Sequence, residues 1–349
     1  MKLAAFFHGR RDRRLLALFA VALVSVGLAL GGLYYREAVL APRYTPMPLF
    51  PGLAHKLSNG EATRIYIVSK KYGSFTVAFV PQKGWVLPDR GNYPAAFEMV
   101  KQTLVAIAAM ETVEPKTDRP DWFHYVDLDP PPQGNGVTVT LSTDRGYILA
   151  SMIVGKSEMT GDELGLFVRR AGENQSYLVK SPGEIKSNPA DWMDKTVISV
   201  DPARVASAEV KPASGPAYTA SRNTPQSGFT LAPLPKGREL AFPGAADTTA
   251  AALADFAFED IRRSTDFDFA DGTRLVLHTF DGLSVTVNLV DQNGAHWARV
   301  FAEAAPGNPK AAKEALDINA RAEGWAFKLP AFKAGAFAPT LESLLKSKK

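Results

Sequence analysis

The chain contains no cysteine. That absence excludes disulfides, thiol nucleophiles, zinc–thiolate sites, iron–sulfur clusters and a lipoprotein anchor. It suits an oxidising compartment without requiring one. The sequence also lacks G-x-x-x-x-G-K-[ST] and G-x-S-x-G, the signatures of phosphate cradles and of hydrolase nucleophile elbows. Its histidines, His8, His55, His124, His278 and His296, form neither H-E-x-x-H nor a close pair with metal-ligand spacing. No cofactor and no metal is expected. No apolar run long enough to cross a membrane occurs after residue 35.

Net charge is missing from most of the chain. The formal charge is +4, yet residues 1–14 alone hold Lys2, Arg10, Arg11, Arg13 and Arg14 against Asp12. The entire excess therefore precedes residue 15, and the remainder is neutral. The basic character reports topology, and no nucleic-acid partner is expected.

Directly after those cations the chain turns apolar: LLALFAVALVSVGLALGGLYY, Leu15 to Tyr35, without a charge. About 20 such residues span a hydrocarbon core about 30 Å thick. The basic flank keeps the N-terminus cytoplasmic. A cleaved signal peptide is the competing reading, but its apolar core is shorter, about 7–15 residues. Leu33-Tyr34-Tyr35-Arg36 is also a poor cleavage site. The expected location is a bacterial inner membrane, single-pass, with the bulk of the chain periplasmic and lipid contacted through 15–35.

The 349 residues allow two domains with cores. Residues 1–14 form the cytoplasmic basic segment, 15–35 the transmembrane anchor and 36–60 a proline-rich stalk, with Pro42, Pro46, Pro48 and Pro51. A first α+β module is expected over 61–210, a Pro/Ser/Gly-rich linker over 211–227 and a second module over 228–349. Alternation predicts hairpins over 61–80, 137–154 and 167–179, and a strand at Gly84–Leu87. Helical spacing of Phe97, Val100, Leu104, Ile107 and Ala108 predicts a helix from Pro94 to Glu111. A short helix around Asp191–Asp194 leads into a strand at Val197–Val200.

The last third repeats this order. Gly228–Leu231 answers Gly84–Leu87, and an expected helix Asp247–Arg263 answers Pro94–Glu111. Arg274–Leu289 answers Thr138–Val154, Trp297–Phe301 answers Phe167–Arg170, Trp325–Leu329 answers Tyr177–Lys180, and a helix near Thr340–Lys346 answers Asp191–Lys195. The expected fold is α+β: a transmembrane helix, then two tandem modules, each a mostly antiparallel β-meander with a packed helix.

Four features are distinctive within Val137–Val200: Ile153-Val-Gly-Lys156, Phe167-Val-Arg-Arg170 with Gly172-Glu173, Gln175-Ser-Tyr-Leu-Val179 and Trp192-Met-Asp-Lys195. Glu114-Pro-Lys-Thr117 precedes them and Arg204–Val210 closes the stretch. Together they resemble the domain of unknown function 4340 family over most of residues 60–210. The resemblance implies a membrane-anchored protein, often encoded beside gliding-motility-type ABC transporter components, with protein partners in such a complex. It implies no catalytic residues.

Candidate contact residues are Arg169, Arg170, Trp122 and His124. The arginine pair could clamp an anion, with a solvated strand face as the alternative. Asp121–Asp129 could be a binding loop, or a loop folded over its module by its aromatics. Asp266-Phe-Asp-Phe-Ala-Asp-Gly272 departs from a calcium loop because Ala270 fills the fifth ligand position. The expectation is a non-enzymatic, extracytoplasmic accessory protein of an ABC-type transport system. A cell-envelope ligand- or polymer-binding module is the alternative, requiring a concave pocket between the modules. An envelope hydrolase, requiring a buried acid/base pair, is the third reading.

Overall fold

In the computed structural model, residues 10–35, 44–160, 163–337 and 339–347 are described. Helix α1 covers Arg10–Tyr35. Its stretch Leu18–Tyr35 is long and apolar enough to cross a membrane, is exposed throughout, and fits a single-pass anchor.

The next elements are β1 (Met47–Pro48), α2 (Leu53–Ser58), β2 (Arg64–Ser69), β3 (Gly73–Val80), β4 (Gly84–Leu87), β5 (Tyr93–Pro94), α3 (Phe97–Ala108) and β6 (Glu111–Pro115). Then come β7 (Val137–Ser142), β8 (Ile148–Thr160), β9 (Glu163–Arg170) and β10 (Ser176–Lys180). The second half holds β11 (Val205–Lys211), β12 (Tyr218–Ser221), β13 (Thr230–Ala232), α4 (Asp247–Ala250), β14 (Asp260–Arg263) and β15 (Thr273–Thr279). It ends with β16 (Leu283–Gln292), β17 (Ala295–Ala304), α5 (Pro309–Ala322), β18 (Trp325–Leu329) and α6 (Ala331–Phe337).

Two antiparallel sheets result. Setting aside β1 and β5, the first runs β4-β3-β2-β7-β8-β9-β10-β6 and the second β13-β12-β11-β15-β16-β17-β18-β14. Numbered within each module, both orders are 3-2-1-5-6-7-8-4. An isolated bridge recurs as well: Ala95 pairs Met193 in the first module, and Leu240 pairs Leu345 in the second. The α+β fold with two modules in tandem is thus present, and the shared plan is more complete than alternation revealed.

Several boundaries differ from expectation. Lys211–Ser227 is no free linker. It contains the return strand of a hairpin, with Val210 opposite Tyr218 and Ser207 opposite Ser221. β11 pairs β15, so Val205–Val210 belongs to the second sheet. Part of the stalk is folded: Met47 and Pro48 pair Thr112 and Glu111, and Leu49 and Leu53 are buried. Residues 1–9 and 36–43 lie outside the described residues. The expected helix 247–263 shrinks to one turn, because Asp260–Arg263 pairs β18 and Phe256 and Phe258 are drawn into an aromatic cluster. The expected strand 197–200 is irregular, its Val200 N–H bonded to Leu253 O at 2.8 Å. α5 was not anticipated; Asn308 caps it, and its buried stripe is mostly alanine: Ala311, Ala315, Ile318, Ala322.

One continuous core fills the inner faces of both sheets. The modules meet at Tyr93, whose ring stands edge-on to Trp325 (5.3 Å), Phe258 (6.0 Å) and Phe327 (6.4 Å). Arg90 Nε lies 2.6 Å from Asp260 Oδ1, and Arg263 donates to Gly91 O at 2.9 Å. A Cβ at Gly91 would stand 3.0 Å from Arg263 Nε, so glycine permits this close approach.

Candidate functional site

Of the two readings of Asp121–Asp129, the loop folded over its module by its aromatics matches the observed packing. Pro120–Val126 forms 3-10 turns lying on the outer face of the first sheet. Phe123 and Leu128 are buried against Ile153, with Val126 and Phe167 packed beside them. A Cβ at Gly155 would sit 2.0 Å from Val126 O, so only glycine lets the loop come this close. Lys156 Nζ donates to Tyr125 O at 2.9 Å. Gln175 and Ser176 donate to Lys116 O and Thr117 O. The distinctive residues around Ile153–Lys156, Phe167–Arg170 and Gln175–Ser176 are thereby explained as the bed on which residues 116–128 rest.

Arg169 and Arg170 are not brought together. Adjacent strand residues point to opposite faces. Arg169 is buried with its guanidinium over the Phe123 ring at 4.6 Å, donating to Leu128 O and Glu173 O at 3.2 and 3.0 Å. Burial lowers its pKa from the usual arginine value. Arg170 donates to Leu49 O at 2.8 Å and pairs with Glu173 at 3.1 Å. Trp122 and His124 lie outside the buried cluster: Trp122 is stacked under Arg119 at 4.8 Å and His124 against Tyr125 at 3.9 Å.

Sequence reasoning missed an apolar groove of about 550 Å³ between α2 and α3, over β4. α3 carries two apolar stripes. Val100, Thr103, Ala106 and Ile107 are buried. Phe97, Leu104, Val105 and Ala108 face the groove instead, across from Leu57 and Trp85. Only Ser58 and Lys101 among its 11 lining residues are polar. Phe97 and Val105 remain 60% and 55% exposed. The doubled stripe was the available signal, since a helix apolar on more than one face needs a second cover.

A second cleft, about 520 Å³, opens where the modules meet. Ile198 and Ser199 line one wall, Phe256, Phe258 and Arg321 the other. Lys195 reaches across it, donating to Phe258 O at 2.6 Å with its ammonium 3.8 Å from that ring's centroid. Burial pulls the Lys195 pKa down to about 8, against the opposing pull of Asp191, Asp260 and Glu259.

The outer face of the second sheet holds Ser284 Oγ 2.8 Å from His278 Nδ1, with Glu209 Oε1 3.6 Å from Nε2. The residue types are those of a hydrolase. The placement is a half-exposed cross-strand row, His278 directly opposite Ser284. β16 is paired on both sides there, so its backbone N–H groups serve the ladder instead of an oxyanion. Among the described residues, no group of three or more His, Asp or Glu is placed to hold a metal ion.

Edge strands are short: β1 and β5 have 2 residues each, β13 has 3 and β14 has 4. Such edges are poor templates for strand addition. The described surface therefore offers a groove and a cleft as its concave features near the anchor and the module junction.

These features define an α+β protein with, among the described residues, one candidate membrane span and two sheets of one strand order. A family model described as "Domain of unknown function (DUF4340)" matches residues 85–272, over half of the chain, and the chain belongs to that family. The match begins in the first sheet and ends just before β15 of the second, crossing the module junction. No curated protein and no solved structure matches the chain.

Proposed function

We propose that this chain is a non-enzymatic accessory protein, anchored in the bacterial inner membrane with its modules in the periplasm, that works beside an ABC-type transport system. The observation that carries this reading is the apolar groove next to the point where the anchor's tether joins the first module. Tyr44 donates to Thr112 Oγ1 at 2.7 Å and Leu49 N–H bonds Met110 O at 2.8 Å, three residues and one residue past the groove's Ala109 end. Residues 36–43 link Tyr35 to Tyr44, a step of about 30 Å at full extension. A tether of that length keeps the groove within reach of the bilayer, where a partner of a transporter has to work. The transporter itself comes from the family resemblance. The shared strand order supports an origin by tandem duplication.

Crosslinking in native membranes, followed by purification through a C-terminal tag, tests the proposal. Transporter subunits are the expected co-purifying proteins. Recovery of the chain alone with a small molecule bound overturns it in favour of the second reading, a cell-envelope ligand-binding module. The cleft between the modules, with Lys195 and Arg321 over an aromatic floor, is the observation that favours that alternative.

A further inference from the structure

We propose that the groove between α2 and α3 receives an acyl chain of the bilayer in which the protein's own anchor is embedded. The inference rests on the anchoring reading above and adds an occupant to the groove.

The walls offer an occupant almost nothing but hydrocarbon. Leu57, Trp85 and Leu104 form the floor, and Ser58 and Lys101 alone among the lining residues carry polar side chains. Lys101 lies 3.7 Å from Glu98, which partly answers its charge. A polar metabolite would lose its hydration there without gaining hydrogen bonds in return. An alkyl chain loses nothing of the kind, and its presence removes the groove's apolar walls from water.

The length also fits. From Phe97 to Ala109 the α3 wall extends about 18 Å at the helical rise of 1.5 Å per residue. Beyond the groove's end, β6 starts two residues after Ala109 and pairs with β1, the first strand after the tether.

The tether decides between occupants. A stretch of eight residues keeps the module within reach of one leaflet, so lipid is present at very high effective concentration. A protein helix with the right apolar face could lie in the same groove but would have to displace that lipid.

Trp85 lines the groove, and the anchor contains no tryptophan. The full-length chain is reconstituted in phosphatidylcholine–phosphatidylglycerol vesicles, and flotation establishes that it is anchored. Lipids bearing a nitroxide on the acyl chain are then compared with lipids bearing it on the headgroup. Acyl-chain label should quench a tryptophan component that is absent from Trp85→Phe and lost in Val105→Asp, a substitution at a half-exposed rim position. A chain that floats while its Trp85 component stays unquenched overturns the inference and leaves the anchoring reading standing. A chain that does not float overturns both. In native membranes, a photocrosslinker at position 97 that labels a polypeptide instead of lipid assigns the groove to a protein and also overturns it.

Discussion

Arg169 in the first module and Arg299 in the second stand on equivalent strands of the two sheets, β9 and β17, each holding its guanidinium over a phenylalanine, Phe123 at 4.6 Å and Phe269 at 5.0 Å. Their surroundings differ. Arg169 pairs in register with Ile153, under a loop that supplies two carbonyls to its guanidinium. Arg299 pairs with Asn288, whose other neighbour is Arg274. Both arginines of that row line an open trough of about 760 Å³, and among the described residues neither makes a hydrogen bond or an ion pair. The first module has closed its outer face with its own chain, while the second covers one end with Phe267 and Phe269 and leaves the rest to solvent. An arginine stacked on a phenylalanine is structural in one copy and free in the other.

The sharpest way to break this comparison is to remove both arginines in turn. Arg169→Met leaves the carbonyls of Leu128 and Glu173 without their donor beneath the loop. An orphaned polar group costs about 1–3 kcal/mol, so a loss of about 2–4 kcal/mol is expected. Arg299→Met breaks no hydrogen bond, and an exposed change of this kind stays within about 0.5 kcal/mol. Urea unfolding of both variants measures the difference. Equal losses would mean that Arg299 carries stability through contacts its exposure does not suggest.

Gly155→Ala tests the loop's bed more gently. The added methyl falls 2.0 Å from Val126 O, so the loop must lift or the strand must shift. Overpacking of this kind costs about 1–3 kcal/mol. The local signature is faster proteolysis within residues 118–136. A glycine of the second module in a similarly tight place, Gly272, meets Leu289 O at 2.1 Å, and Gly272→Ala should produce a similar loss without exposing a long loop.

How far the sequence revealed this depends on how each element makes its signal. Hairpins such as β15–β16 were legible because their alternation is strict: Leu275, Leu277, Val285 and Val287 are all buried. The hairpin β11–β12 was not, since VASAEVK and YTAS are built from small residues inside a proline- and glycine-rich stretch. The shared order of elements was therefore read with the first two strands of the second sheet missing and its start displaced. α5 hid for the same reason, its buried face being alanine with one isoleucine. Residues 251–263 misled in the other direction, since alanine-rich helix propensity yields to Phe256, Phe258 and the pairing of β14. Among the candidate site residues, the adjacency of Arg169 and Arg170 suggested a clamp, whereas alternation along a strand separates adjacent side chains. The groove was written in the doubled stripe of α3, which a search for one apolar face passes over.

The junction between the modules gives the most specific expected effect, a dependence of stability on pH. Lys195 titrates at about 8 in the folded chain against 10.5 when unperturbed, because burial disfavours its charge. Between those two values the unfolded chain binds more protons than the folded one, so stability rises with pH through that window. Below the folded value the penalty for burying the charge is present in full, and above 10.5 it is gone. Lys195→Met removes the titrating group while keeping most of its apolar stem, so the rise between pH 8 and 10.5 should flatten. The bond to Phe258 O is lost at the same time, which lowers stability at every pH and leaves the slope as the diagnostic quantity. Thermal melts across that window, compared with wild type, read the slope directly. An unchanged slope would mean that the ammonium stays hydrated at the cleft mouth, and that the modules meet there more loosely than the stacking around Tyr93 suggests.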